Sequence, residues 1–191
     1  MSLSPLEIAA VVFTLANVWL AVKQNIWTWP TGIASVILYG IVFYQSRFYS
    51  NAGLQLVYLG LSIHGWYEWL HGGENKSELH VRRTTRRQWI GCTISAIVLT
   101  VAIFELLRLT TDATFPFWDA LTTAISLVAQ WMMNEKLLEN WLGWLLVDII
   151  YVPMFGFGGR VLTAGLYAVF CVMAVRGFVE WKRSIAAPAS S

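Results

Sequence analysis

The chain has 191 residues, of which 57% are hydrophobic and only 13% are charged, and its mean hydropathy is +0.58. A soluble domain has about 25% charged and about 45–50% apolar residues, so the composition excludes an ordinary cytosolic enzyme and also a disordered chain. The net charge of +2 argues against a nucleic-acid partner, and Cys92 and Cys171 lie in apolar runs with neither metal-ligand spacing nor a disulfide pattern.

Seven apolar runs, separated by polar clusters, follow one another along the chain. A helix that crosses a bilayer needs about 20 such residues, and the runs predict an all-α integral membrane protein with seven transmembrane helices. The predicted spans are Leu6–Val22, Trp29–Tyr44, Leu54–Leu70, Trp89–Leu107, Trp118–Met133, Trp141–Phe155 and Val161–Val179. No Lys or Arg precedes the first run, so it lacks the basic region of a cleaved signal peptide and is predicted to be a retained helix.

The distribution of basic residues predicts the orientation of the chain. Seven spans place the termini on opposite sides, and ten of the thirteen Lys and Arg residues fall on one of these sides. Lys and Arg accumulate in cytoplasmic loops, so we expect an outer N-terminus and a cytoplasmic C-terminus. The segment His71–Gln88 is then the main cytoplasmic loop, and its cluster from Arg82 to Arg87 is most simply a topology signal.

Two short patterns occur twice in the same order. Asn-x-x-x-Trp is found in Asn25–Trp29 and Asn140–Trp144, and Gly-x-x-Glu-Trp is found in Gly65–Trp69 and Gly177–Trp181. The copies are 115 and 112 residues apart. Trp is common at membrane interfaces, but two ordered matches at nearly one offset indicate an internal duplication.

The duplication predicts two three-helix units joined by a linking helix. Residues 1–70 form the first unit, 71–110 the basic loop and linking helix 4, and 111–191 the second unit with a cytoplasmic tail. One intervening helix gives both units the same orientation, as in the parallel repeats of SWEET-type carriers, a 3+1+3 arrangement. Repeats of this kind hold substrate near the membrane midplane, between the units.

The sixth span carries the clearest candidate site. Trp141, Trp144 and Asp148 follow at i, i+3 and i+7 and so share one helical face. Asp148 lies seven residues into the span, about 10 Å deep, and charges at that depth usually mark a pathway or site. Two aromatic faces and a carboxylate suit a flat cation. The alternative is an interfacial Trp pair with an Asp bonded to a neighbouring helix.

The third span carries a second polar stripe, formed by Gln55, Tyr58 and Ser62 at i, i+3 and i+7. Such residues either hold helices together in a bundle or bind the hydroxyl and amide groups of a substrate, and the spacing does not distinguish the two. Ser126 and Gln130 form a shorter stripe in the fifth span with the same two interpretations.

Enzymatic chemistry finds no support in the sequence. His64, His71 and His80 share no helical face with carboxylates in a metal-binding pattern, and no nucleophile elbow is present, so we expect no catalytic residue, no metal and no cofactor. His64 and Glu68 form an i, i+4 pair that is more often structural than proton-carrying. A non-transporting membrane receptor is the remaining class, although it would not need polar stripes on two helices.

Three sequence blocks resemble the PnuC family of bacterial vitamin transporters, the nicotinamide riboside carriers. They are Leu54-Gln55-x-x-Tyr58 running into Gly65-Trp66-Tyr67-x-Trp69, then Pro116-Phe117-Trp118-Asp119, then Glu139-Asn140-Trp141-x-x-Trp144-x-x-x-Asp148. The resemblance covers nearly the whole chain, and the third block is its most specific part. It implies seven helices in a 3+1+3 arrangement, in agreement with the span count and the repeat.

The resemblance also implies a mechanism and a set of site residues. Family members carry a vitamin precursor down its gradient across the bacterial inner membrane, and a cytoplasmic kinase phosphorylates and traps the product. The resemblance is compatible with a homotrimer. The substrate-binding residues expected here are Trp141, Trp144, Asp148, Gln55, Tyr58, Ser62, Asn140 and Trp29.

One departure from the family pattern concerns the vitamin. Typical nicotinamide riboside carriers often end the Trp-x-x-Trp block with Asn, where this chain has Asp148, and a Tyr commonly stands at the position of His64, before Gly65. Nicotinamide riboside and thiamine are both cations, so a carboxylate between tryptophans suits either. Riboflavin is neutral and bulkier, and it ranks third.

Overall fold

The computed structural model describes residues 5–47, 49–111 and 115–186. These residues form seven α-helices in chain order, with a single 3₁₀ turn at Glu74–Lys76 between the third and the fourth. The helices are α1 (Pro5–Val22), α2 (Thr28–Gln45), α3 (Tyr49–His71), α4 (Arg86–Thr110), α5 (Pro116–Asn134), α6 (Asn140–Phe157) and α7 (Val161–Ala186).

Every predicted span lies inside one helix, which confirms the all-α, seven-helix membrane fold. The helices extend beyond the apolar runs: α3 begins at Tyr49 rather than Leu54, and α7 reaches Ala186 rather than Val179. Backbone hydrogen bonding continues into the polar boundary region, whereas an apolar run records only the part that suits hydrocarbon. Among the described helices, α1, α4, α6 and α7 are long and apolar enough to cross a membrane by length and composition alone.

Short connections with defined backbone geometry join the helices. Gln24 and Lys136 turn the chain in the left-handed region, with φ of 54° and 46°, after α1 and after α5. Thr85 begins α4 with a capping box: its hydroxyl accepts the Gln88 N–H at 3.3 Å, and the Gln88 side chain accepts the Thr85 N–H at 2.9 Å. This exchange satisfies two donors that a helix start leaves open.

The described residues divide into two compact units. Unit 1 takes in the chain up to His80, together with Asn134–Lys136 and the residues from Val179 onward. Within it, α2 packs against both α1 and α3. The hydroxyls of Thr14 and Ser35 lie 2.6 Å apart across α1 and α2, a polar contact of the kind that joins transmembrane helices.

Unit 2 contains Val81–Met133 and Leu137–Phe178, and so holds α4, α6, nearly all of α5 and most of α7. Cys92, Met132 and Leu137 form a buried apolar cluster here. The N–H of Leu138 donates to the carbonyl of Arg82 at 2.9 Å. This backbone bond attaches the loop before α4 to the loop before α6.

A similar glycine–tryptophan contact occurs within each unit. A side chain added at Gly65 would meet the Trp29 ring at 2.6 Å, and one added at Gly177 would meet the Trp141 ring at 2.6 Å. The two glycines are 112 residues apart, and so are the two tryptophans. This common offset favours the predicted duplication, and it pairs Trp29 with Trp141 rather than with Trp144. The duplication, and the division of the chain at residues 70 and 110, stay predictions.

Candidate functional site

The start of α6 places four of the predicted site residues on neighbouring faces of one helix. Asn140 is its first residue, and its side-chain N–H donates to the carbonyl of Leu137 at 2.6 Å, which fixes the entry of the helix. Asn140, Trp144 and Asp148 follow at i, i+4 and i+8, so they lie along one side of α6. Trp141 stands beside this stripe.

Asp148 is a buried carboxylate in the middle of an apolar helix. The residue is only 6% exposed, and within the described residues its carboxylate forms neither an ion pair nor a hydrogen bond. Tyr151 and Cys171 lie in its surroundings, and both are neutral side chains. A buried charge is strongly unfavourable unless it is paired, so this position is suited to a cationic ligand.

Two further polar atoms of the α6 stripe are buried without a partner. The Nε1–H of Trp144 and the Oδ1 of Asn140 have no hydrogen-bond partner among the described residues. Leaving a buried donor or acceptor unsatisfied is unfavourable by about 1–3 kcal/mol. One donor, one acceptor and a carboxylate on the same side of α6 form a set that a polar cation could satisfy together.

Trp141 is more tightly packed than its neighbours. It is 2% exposed, and the Gly177 backbone lies against its ring. One face of the indole is therefore occupied by α7, which gives Trp141 a structural role in addition to the predicted contact with substrate.

The second predicted stripe lies on α3 in unit 1. Ser62 is buried at 7% exposure, whereas Gln55 and Tyr58 are half-buried. Gln55 packs where α2 has a glycine: a Cβ at Gly40 would lie 3.6 Å from the Gln55 Cβ. The structure therefore places these three side chains along one face of α3, as the i, i+3 and i+7 spacing predicted.

Trp29, the eighth predicted site residue, belongs to a tryptophan cluster in unit 1. Its ring centroid lies 5.2 Å from that of Trp69 in an edge-to-face arrangement, and Trp69 also contacts Trp181 at 5.9 Å. Trp181 donates its Nε1–H to the carbonyl of Ala21 at 3.0 Å. The Nε1–H of Trp29 is buried without a described partner, so this residue combines a packing role with one free donor.

Lys136 packs against this tryptophan cluster, a contact that the sequence did not predict. Its Nζ lies 4.4 Å from the Trp69 ring centroid and donates to the carbonyl of Leu79 at 2.8 Å. Burial lowers the pKa of the Lys136 ammonium, and the carboxylate of Glu78 partly opposes that shift. A lysine in a loop is usually solvated, so nothing in its position indicated this burial.

His64 and Glu68, the i, i+4 pair of the third span, lie close to each other. His64 Nε2 lies 3.7 Å from Glu68 Oε1, and its Nδ1 lies 3.3 Å from the Asn134 amide nitrogen. That amide also donates to the carbonyl of Leu61 at 2.8 Å. The histidine is thus part of a network that anchors the end of α5.

Tyr151 is a polar neighbour of Asp148 that the sequence analysis did not single out, and Thr122 is a partner of Tyr151. They hydrogen-bond to each other, and Tyr151 interacts electrostatically with Asp119 as well as with Asp148. The i, i+3 spacing of Asp148 and Tyr151 was the available signal. Across the residues that the structure describes, no three His, Cys, Asp or Glu side chains come together as a metal site requires.

Comparisons with known proteins place the chain among vitamin transporters. Residues 4–183 match the family described as nicotinamide mononucleotide transporter. The nicotinamide riboside transporter PnuC of Escherichia coli is 28% identical, over 95% of this chain and 87% of that protein. The riboflavin/roseoflavin transporter RibM of Streptomyces davaonensis is 27% identical, over 89% of this chain and 81% of that protein.

A solved structure shows the same fold. The crystal structure of the vitamin B3 transporter PnuC superposes with a TM-score of 0.74 at 25% identity, covering 93% of this chain and 80% of that one. These relatives are named as transporters. The chain therefore belongs to the nicotinamide mononucleotide transporter family and is a multi-pass transporter of the bacterial inner membrane.

Proposed function

We propose that this chain carries nicotinamide riboside into the cell by facilitated diffusion. The observation that carries the proposal is Asp148, a buried carboxylate with neutral neighbours on the same side of α6 as two unsatisfied polar atoms. The relatives from Escherichia coli and Neisseria mucosa, both 28% identical, are named nicotinamide riboside transporters.

The chemistry of nicotinamide riboside matches these groups. Its pyridinium ring is a flat cation, which a carboxylate neutralises and an indole face attracts by about 2 kcal/mol when desolvated. Its carboxamide and ribose hydroxyls supply an acceptor for the Trp144 N–H and donors for the Asn140 oxygen. Asp148 and Trp144 hold the ring in this proposal, and Trp141 supports them from its packed position against Gly177.

Transport follows by alternating access to this binding site. In this proposal the substrate gradient drives uptake, and a cytoplasmic kinase would maintain that gradient by phosphorylating the imported vitamin. The phosphate gives the product a net negative charge, which the Asp148 carboxylate disfavours.

Riboflavin is a second candidate because of the similarity to RibM, at 27% identity. Its isoalloxazine ring is flat but neutral and would leave the Asp148 carboxylate unpaired. Thiamine, a cation, would satisfy the carboxylate equally well. A side-by-side binding measurement with the three vitamins therefore shows which of them the site prefers.

The test is calorimetry on the purified full chain in mild detergent, with nicotinamide riboside, thiamine and riboflavin side by side. We expect nicotinamide riboside to bind at least tenfold more tightly than the other two, and Trp144→Ala to lose this binding while the protein stays monodisperse. Tight binding of thiamine or riboflavin alone would transfer the proposal to that vitamin. Binding of none of them by folded protein would contradict the transporter site. Mass photometry of the same sample measures whether the chain is trimeric.

A further inference from the structure

An apolar groove with a volume of about 520 Å³ runs along α4 in unit 2. It is lined by α4, α5 and α6, and it begins near Trp89 and Glu139 and ends near Val101 and Phe117. On α6 it uses Leu142, Gly143 and Leu146, which do not belong to the stripe that carries Asp148. The proposed transport site makes no use of this groove.

The groove is open along its length and deep at its centre. Ile97, Phe117 and Leu146 are 60%, 48% and 48% exposed, so this side of the chain is not covered by protein. The groove is deep where small residues line it. Gly143 on α6 and Ala129 on α5 are so close that a Cβ added at Gly143 would lie 2.9 Å from the Ala129 methyl.

The dimensions of the groove match a lipid chain. Trp89 and Val101 are twelve residues apart on α4, about 18 Å along the helix axis. The hydrocarbon core of a bilayer is ~30 Å thick, and one leaflet takes up half of that thickness. The volume also falls within the range of about 300–1,000 Å³ that is typical of ligand pockets.

An unpaired basic cluster stands at the Trp89 end of the groove. Arg83, Arg86 and Arg87 are exposed and form no ion pair within the described ranges. Arg86 and Arg87 stand in the first turn of α4, at the positive end of the helix dipole, and that turn contains no acidic residue. The arginine side chains and the dipole therefore both favour an anion at this position.

The arginine loop is held beside the groove by contacts with the loop before α6. Glu139, which lines the groove, accepts hydrogen bonds from the Thr84 N–H at 2.8 Å and from its hydroxyl at 2.7 Å. The Arg82 carbonyl accepts the Leu138 N–H at 2.9 Å. The Glu139 carboxylate at the groove mouth is thus hydrogen-bonded to Thr84, and this contact fixes the position of the basic segment.

We propose that this groove is a binding site for an anionic phospholipid, whose acyl chain lies along α4 and whose phosphate is bound by Arg83, Arg86 and Arg87. Guanidinium groups bind phosphate in a bidentate manner, and basic pockets between helices bind acidic headgroups on the cytoplasmic side. A second copy of the chain fits less well, because copies with one membrane orientation would bring their arginine clusters to the same depth.

The test is native mass spectrometry and thermal unfolding of the purified full chain with phosphatidylglycerol or phosphatidylcholine. We expect phosphatidylglycerol to bind at least tenfold more tightly and to raise the melting temperature, whereas inorganic phosphate alone has no effect. The double variant Arg86→Gln/Arg87→Gln should lose the preference. The double variant Lys182→Gln/Arg183→Gln, with the same charge change on α7, should keep it.

The groove itself is tested by filling it. Ala96→Phe places a ring among the lining residues, and Ala102→Phe places the same ring on an exposed part of α4 outside the groove. We expect the first variant alone to lose bound phosphatidylglycerol. Equal binding of both lipids, or an oligomer that dissociates when Ala96 is replaced, would overturn the lipid site, the latter in favour of an interface between copies.

Discussion

Asp148 stands out at the residue scale because its depth follows from helix geometry alone. A fixed rise per residue converts sequence distance into depth in the membrane, so the sequence could identify the position. It could not show that the carboxylate has only neutral described neighbours, because those come from other turns and from α7. The burial of Lys136 against Trp69 is hidden for the same reason: it depends on a contact between distant segments.

Replacing Asp148 tests whether charge recognition defines the site. Asp148→Asn keeps nearly the same shape but removes the charge, so it should lower the preference for nicotinamide riboside over its neutral dihydro form. We expect a ratio of dissociation constants above ten in the unmodified chain, about 1.4 kcal/mol, to fall close to one. Asp148→Ala should weaken both ligands. Calorimetry with the oxidised and reduced forms measures the ratio.

Glu105→Gln is the control for this experiment. Its carboxylate is half-exposed and pairs with Arg108 at 2.9 Å on the same helix, so its loss should leave the ratio unchanged. A ratio that is the same in Asp148→Asn as in the unmodified chain would show that the carboxylate does not recognise the cation.

At the scale of elements, hydropathy located all seven helices but misplaced some of their ends. The ends of α3 and α7 are polar and therefore invisible to an apolar run. Packing between helices could not be predicted from hydropathy either, because a glycine has no side chain that would indicate its contacts. Gly65 against Trp29 and Gly177 against Trp141 are the same kind of contact, a helix backbone against an indole ring.

The glycine–tryptophan contact predicts a specific loss of stability. A Cβ at position 177 would overlap the Trp141 ring, and overpacking of this kind destabilises by about 1–3 kcal/mol. Gly177→Ala should therefore lower the melting temperature and also weaken substrate binding, because Trp141 must move. Thermal unfolding followed by tryptophan fluorescence measures the first effect.

Gly165→Ala is the matched control on the same helix, because an added Cβ there meets nothing within 4 Å. It should leave stability unchanged or raise it slightly, since Ala is the better helix former. Equal melting temperatures for the two variants would mean that Gly177 does not set the position of Trp141.

At the scale of the whole molecule, composition and basic residues determine more than any single motif. The 13% charged residues place the chain in the membrane, and the uneven distribution of Lys and Arg predicts its orientation. Relatives of about 27–28% identity are named for different vitamins, and in our proposal the choice of vitamin depends on a few atoms of the binding site.

The predicted orientation can be measured with single cysteines in a chain whose Cys92 and Cys171 have been replaced. A membrane-impermeant maleimide should label Ser46→Cys, between α2 and α3, in intact cells. It should label Ser77→Cys, between α3 and α4, only after the membrane is permeabilised. The reverse pattern would contradict an outer N-terminus.

Uptake of labelled nicotinamide riboside into proteoliposomes is the direct test of facilitated diffusion. We expect saturable uptake that stops when the internal and external concentrations are equal, in the absence of any ion gradient, and we expect Trp144→Ala to abolish it. Uptake no faster than into empty liposomes, by protein shown to be folded, would contradict transport of this vitamin. Accumulation above the external concentration under an imposed ion gradient, with the membrane potential held at zero, would contradict facilitated diffusion.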